Sequence, residues 1–199
     1  MPGILVEPVA SVTGDLAELR PSALSKVGVR THCVGMAEIL VAYATKSGSN
    51  REIAEVVAEQ IRHAAHEVTV LDAAEVRSVE PYKAVVLGSA LYSGRWRREA
   101  VKLLTRNEKA LARKPVWLFH SGPVGPQQVP QRAPRQVREI AARIGAEEPI
   151  TFGGRLSSET AVGFLARRMA QTGAAGDFRD WDEIRLWAYM ISERLVAAR

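Results

Sequence analysis

The chain has 199 residues, 47% hydrophobic and 25% charged, which suits one folded domain with its own core. Its one cysteine, Cys33, excludes an internal disulfide and any all-cysteine metal or iron–sulfur site, as befits a reducing cytoplasm, and no apolar run approaches the roughly 20 residues that span a bilayer. Lys and Arg outnumber Asp and Glu by 27 to 22, and the net +5 falls wholly within residues 36–199, because Glu7, Asp15 and Glu18 balance Arg20, Lys26 and Arg30.

Residues 1–35 carry Pro2, Pro8, Pro21, Gly3, Gly14 and Gly28 without sustained periodicity, and read as an appended arm. The alternative is that the folded chain starts at Met36. Residues 26–30 are a candidate short strand. The first ten residues lack a basic segment and Glu7 interrupts their apolar run, so they do not read as a secretory signal. Residues 39–43 then form an apolar run with the length of a buried parallel strand. A turn rich in hydroxyl groups follows, and a helix-period segment over 50–63 puts Ile53, Ala54, Val56, Val57 and Ile61 on one face. His63 and His66 at its end read as surface residues. Residues 68–71 are a second strand ending at Asp72, which is expected to cap the short connector 73–81. Strands at 84–89, 116–119 and 150–152 alternate with helices at 95–106 and 132–144, and a last helix covers 180–197. Residues 161–170 form an amphipathic stretch between the fifth strand and that helix. The alternation implies a doubly wound α/β fold, with a five-stranded parallel sheet and helices on both faces.

Strand, short hydroxyl loop and helix N-terminus together make a device for holding one phosphate, through backbone N–H groups, side-chain O–H groups and the helix dipole. The loop has one glycine, Gly48, so neither the G-x-G-x-x-G of a dinucleotide site nor the G-x-x-x-x-G-K-[ST] of a triphosphate site is present. The run Thr45-Lys46-Ser47-Gly48-Ser49-Asn50 instead resembles the T-x-[ST]-G-[NST]-[ST] loop of flavodoxins, which wraps the phosphate of FMN. Asn50 departs from the usual Thr or Ser, though its amide can donate to phosphate or cap the helix. The plainer reading is an N-cap turn in a protein without cofactor. The resemblance implies a flavodoxin-like fold of strand order 2-1-3-4-5, FMN as cofactor, and binding at the carboxyl ends of strands one and three. Two further loops stand at such ends. Ser89, Ala90, Leu91, Tyr92, Ser93 and Gly94 follow strand three, and His120, Ser121, Gly122 and Gly125 follow strand four. Tyr92 or Trp96 could pack on a flat ring, and His120 is the best-placed titratable group, as a proton shuttle or a satisfied loop histidine.

The amphipathic stretch at 161–170, Gly88-Ser89-Ala90-Leu91 with Gly94 and Trp96, Phe152-Gly153-Gly154-Arg155-Leu156, and Asp180-Trp181 resemble the menaquinone-dependent protoporphyrinogen dehydrogenases, a flavodoxin-fold family. That resemblance covers about residues 36–197. It implies an FMN-dependent oxidoreductase that oxidises protoporphyrinogen with a quinone acceptor, in the cytoplasm or peripheral at the inner membrane face. Arg95, Arg97 and Arg155 would meet acidic groups on the substrate. A small-molecule substrate or quinone is the expected partner, with a homodimer contact as an alternative use of 161–170. Nucleic acid is not expected, since no reader motif accompanies the charge, and no metal ligands are grouped. Two other readings stay open: an electron-transfer flavodoxin without its own substrate, and a cofactor-free binding module on the same scaffold.

Overall fold

Along the first strand the side chains alternate between two apolar worlds. Leu40, Ala42 and Ala44 join one buried cluster, while Ile39 and Val41 join another. A strand that is apolar from Ile39 to Ala44 can be satisfied only if both faces are covered, and the computed structural model, which describes residues 38–122, 129–156 and 176–197, builds that arrangement. Strand β1 (Glu38–Ala44) lies between β2 (Glu67–Asp72) and β3 (Ala84–Tyr92). The two-residue β4 (Arg95–Trp96) turns back against the end of β3. Beyond β3 come β5 (Val116–Ser121) and β6 (Ile150–Phe152). The path is β2-β1-β3-β5-β6, and every neighbouring pair on it is parallel. Its five strands, taken in chain order, thus stand in the expected order 2-1-3-4-5; β4 is an addition. A separate antiparallel pair joins β7 (Arg155–Leu156) to β8 (Gly176–Asp177).

Helices α1 (Ser49–His63) and α5 (Trp181–Ala197) cover the face that carries Ile39, Val86 and Phe119. On the other face, α2 (Arg98–Arg106), α3 (Glu108–Leu111) and α4 (Arg135–Ile144) pack over Leu40, Leu87 and Leu118. No helix among the described residues is long and apolar enough to cross a membrane.

Several boundaries differ from the sequence reading, each for a local reason. The third strand runs on to Tyr92 instead of ending at Ser89, because Ser93 (φ 48°) and Gly94 (φ 70°) form a two-residue turn that lets Arg95 and Trp96 pair with it. The expected helix at 95–106 therefore begins at Arg98. The helix expected from 132 begins at Arg135, after Pro134 in extended backbone. The stub α3 was not anticipated. His66, expected at the surface, is buried just before β2. Asp72 does close the next turn, its Oδ1 accepting from Ala74 N–H at 2.8 Å. The arm 1–35, the candidate strand 26–30, the stretch 161–170 and Gly125 lie outside the described residues.

Gly88 sits where no side chain fits: a Cβ there would lie 1.9 Å from Cζ of Phe119. Phe119 in turn packs with Phe152 and Trp187, ring centroids 5.5–5.7 Å apart. Gly88→Ala is expected to cost about 1–3 kcal/mol through overpacking. Combined with Phe119→Leu it should cost less than the sum of the two single changes, since the clashing ring is gone. Urea denaturation of the four proteins measures this, and strict additivity would contradict the contact.

Candidate functional site

Parallel registration brings three strand ends level at one edge of the sheet. Ala44 stands beside Ser89, Ser89 beside His120, and Ala90 beside Ser121. From this edge the chain leaves β1 through Thr45 to Gly48 and enters α1. Gly48 takes φ 84°, a left-handed conformation that glycine adopts without strain, and its carbonyl accepts the first helical N–H bonds, from Arg51 and Glu52. No side chain caps α1. The Oγ atoms of Thr45 and Ser49 are both buried with no hydrogen-bond partner among the described residues. Two orphaned hydroxyls beside an uncapped helix N-terminus form a cradle suited to an anion, and a phosphate is the group whose oxygens would satisfy them. Ser47 is half-buried in the same loop, and the Lys46 ammonium reaches over the Tyr92 ring, 5.5 Å from its centroid. The cation of the loop thus meets the hairpin tip, where Tyr92 is 40% exposed.

Asn50 does something other than what its place in the loop suggests. Its side chain is fully buried, Nδ2 donating to Ala44 O at 3.0 Å and Oδ1 accepting from Ser121 Oγ at 2.6 Å. That amide makes no helix cap, and its Oδ1 and one of its two N–H donors are committed to the fold. It ties the end of β1 and the start of α1 to the end of β5. On the opposite side, the Arg179 guanidinium, 1% exposed, pairs with Glu52 at 2.9 Å and with Asp177, donates to Ser49 O at 3.3 Å, and stacks 4.3 Å from Trp181. These carboxylates hold Arg179 firmly in its charged form, and Arg179 holds the Asp177 carboxyl below its usual range. Arg155 adds a second pair to Glu52 at 2.8 Å. Asp180 caps α5, its Oδ1 accepting from the N–H groups of Asp182 and Glu183. Sequence reasoning had no assignment for Arg179, and only its flanking acids hinted at one.

The hairpin residues are partly structural. Ser89 Oγ accepts from Arg97 N–H at 2.9 Å and donates to Ala90 O, which fixes the return of the hairpin. Ala90 is buried, and a Cβ on Gly122 would come within 3.0 Å of Leu91 Cβ, so Gly122 permits these two loops to touch. Ser93 and Gly94 form the exposed turn. Trp96 faces the core, not a ring site: it is 6% exposed, and its indole N–H donates to His120 Nδ1 at 3.2 Å. Arg97 pairs with Glu99, which leaves Arg95 as the one of the three expected substrate cations with no ion-pair partner among the described residues. Beside Thr45 a hollow of about 390 Å³ is walled by Tyr43, Asp72, Glu75 and Glu99. Those carboxylates would repel a phosphate, so an anion would be favoured on the helix side of the loop.

His120 is fully buried. Because Trp96 donates to Nδ1, the ring proton sits on Nε2, which faces Thr151 Oγ1 at 2.8 Å and Gln131 O at 3.1 Å. Burial pushes its pKa down, with only the Gln131 carbonyl acting in the other direction. The unfolded chain therefore binds the proton more readily. Stability from the neutral ring is fully present above the unfolded value of about 6.5 and is lost as pH falls below it. The unfolding free energy from urea titrations should drop between pH 7 and pH 5, by at most about 1.4 kcal/mol per pH unit for this one proton. His120→Gln should be less stable at pH 7 and show a flatter decline; an unchanged slope would contradict the assignment.

The sequence matches the model of the flavodoxin domain family over residues 40–175. No curated protein matches it. Among solved structures, a flavodoxin from the domain Archaea is similar at TM-score 0.54 and 16% identity, covering 79% of this chain and 97% of that one. The flavodoxin of Streptococcus pneumonia TIGR4 is similar at TM-score 0.53 and 17% identity, covering 82% and 100%. Rubredoxin oxygen:oxidoreductase of Desulfovibrio gigas is similar at TM-score 0.55 and 15% identity, where 80% of this chain spans only 36% of that protein. At these identities the likeness to solved structures is one of fold. With the family match covering most of the chain, the protein belongs to the flavodoxin domain family.

Proposed function

We propose that the protein binds FMN through the loop 45–50 and works as a flavin-dependent oxidoreductase. The observation that carries this is the pair of buried, unpartnered hydroxyls, Thr45 Oγ1 and Ser49 Oγ, at the uncapped start of α1. Bound FMN would supply the redox chemistry at its ring. The chain's part is to hold the phosphate with Thr45, Ser47, Ser49 and the N–H groups of residues 48–50, and to frame the ring between 89–94 and 120–122. Tyr92, exposed at the hairpin tip, is the aromatic side chain available to the ring. His120 acts as a positioning residue under that frame, since its ring nitrogens are occupied.

The narrower form of this reading is oxidation of protoporphyrinogen with a quinone acceptor, at the inner face of a membrane. Its supports are the motif resemblance in 88–96, 152–156 and 180–181 and the basic charge of the domain. A second reading, an electron carrier without its own substrate, draws support from Arg97 and Arg155. Both are engaged by carboxylates and so are not poised for an acidic substrate.

Purified protein should take up FMN and show visible flavin absorption. Ser47→Glu combined with Ser49→Glu should weaken FMN binding at least roughly tenfold, because two like charges oppose the phosphate. A protein that stays colourless at saturating FMN would leave only the cofactor-free module. For the flavin-loaded protein, quinone-dependent oxidation of protoporphyrinogen supports the enzyme; reduction and reoxidation by redox partners without that turnover supports the carrier.

A further inference from the structure

We propose that the cleft between α2 and α4 binds a small amphipathic oxyanion, at a place separate from the phosphate loop. The cleft is a cavity of about 500 Å³, within the size range of small-molecule sites. Val101, Pro134 and Val137 supply an apolar floor, and Trp96 closes one wall. Arg95, Arg98 and Lys102 stand around it as the charged rim.

Those three cations differ from their neighbours. Arg97, Arg113, Arg135 and Arg143, on the same side of the molecule, each hold a carboxylate. The side chains of Arg95, Arg98 and Lys102 are exposed and have neither ion pair nor hydrogen bond among the described residues. Two come from one helix turn apart on α2 and the third from β4, so they converge on the cavity from two elements. An apolar hollow ringed on one side by unpaired cations selects a ligand with an apolar body and an anionic end. The body replaces water over the floor, and guanidinium forks meet the oxyanion. A bare anion gains nothing from the floor. A neutral apolar molecule gains nothing from the rim. Carboxylate and phosphate amphiphiles share the required chemistry.

The test uses the full chain with and without saturating FMN, with 8-anilinonaphthalene-1-sulfonate as the fluorescent probe. The expected result is saturable binding of one probe per chain, unaffected by FMN. Octanoate or octyl phosphate should displace it, and the stronger competitor identifies the preferred head group. Octanol and inorganic phosphate at the same concentration should not. Arg98→Gln with Lys102→Gln should weaken binding roughly tenfold, as loss of two partly solvated charge contacts predicts. Thr105→Trp, which fills the cleft from an exposed position, should weaken it independently. Displacement by octanol or by inorganic phosphate would overturn the proposal, as would binding unchanged in both variants. Displacement by FMN would assign the cleft to the flavin site and overturn its separateness.

Discussion

The buried amide of Asn50 fixes how the end of β1, the start of α1 and the end of β5 stand to one another. It has one donor directed at Ala44 O and one acceptor taken by Ser121 Oγ, and its side chain is removed from water. In a low-dielectric site both bonds must be made, because an unpaired amide or hydroxyl there costs about 1–3 kcal/mol. The turn from Thr45 to Gly48 has to close with the first turn of α1 docked on the sheet edge, and this places the Thr45 and Ser49 hydroxyls without partners. The geometry of this loop thus follows from a polar contact made inside the fold.

A second clamp acts from the opposite side. Arg179 reaches Ser49 O while Glu52 and Asp177 hold its charge, and Arg155 shares Glu52. Helix α1 is thereby gripped near its first turn by the β7–β8 pair as well as by β5. Carboxylates engage particular cations in this way, so net charge alone says little about which of them are free to bind. Arg155 and Arg97 are spent on the fold. Arg95, Arg98 and Lys102 have no carboxylate partner among the described residues, and they gather around a single cleft.

The parts of the site that could be read from the sequence are those written in consecutive residues. The apolar run of β1, the hydroxyl-rich turn with its one glycine at 48 and the face of α1 are local patterns, and each follows from strand, turn or helix geometry. The parallel direction of the strands follows from their alternation with helices, whereas their order came with the resemblance to flavodoxins. Contacts between distant residues left no such signature. Nothing adjacent to Asn50 announces Ser121, and nothing adjacent to Arg179 announces Glu52. The hairpin at 93–94 was hidden because Trp96 reads as the first turn of a helix, whereas its burial against His120 draws it into β4. His66 was misplaced for a related reason: burial is decided by tertiary packing, which a helix-end position does not encode.

The central claim is that the loop 45–50 is preorganised for a phosphate. It is tested most directly by comparing the affinity of FMN with that of riboflavin, which has the same ring and lacks the phosphate. Two hydroxyl contacts and a helix N-terminus meeting a dianion should favour FMN by at least roughly 100-fold, about 2.7 kcal/mol. The preference should shrink in Asn50→Leu, where the hydroxyls lose their fixed positions. Equal affinities for the two flavins in the native protein would contradict the claim.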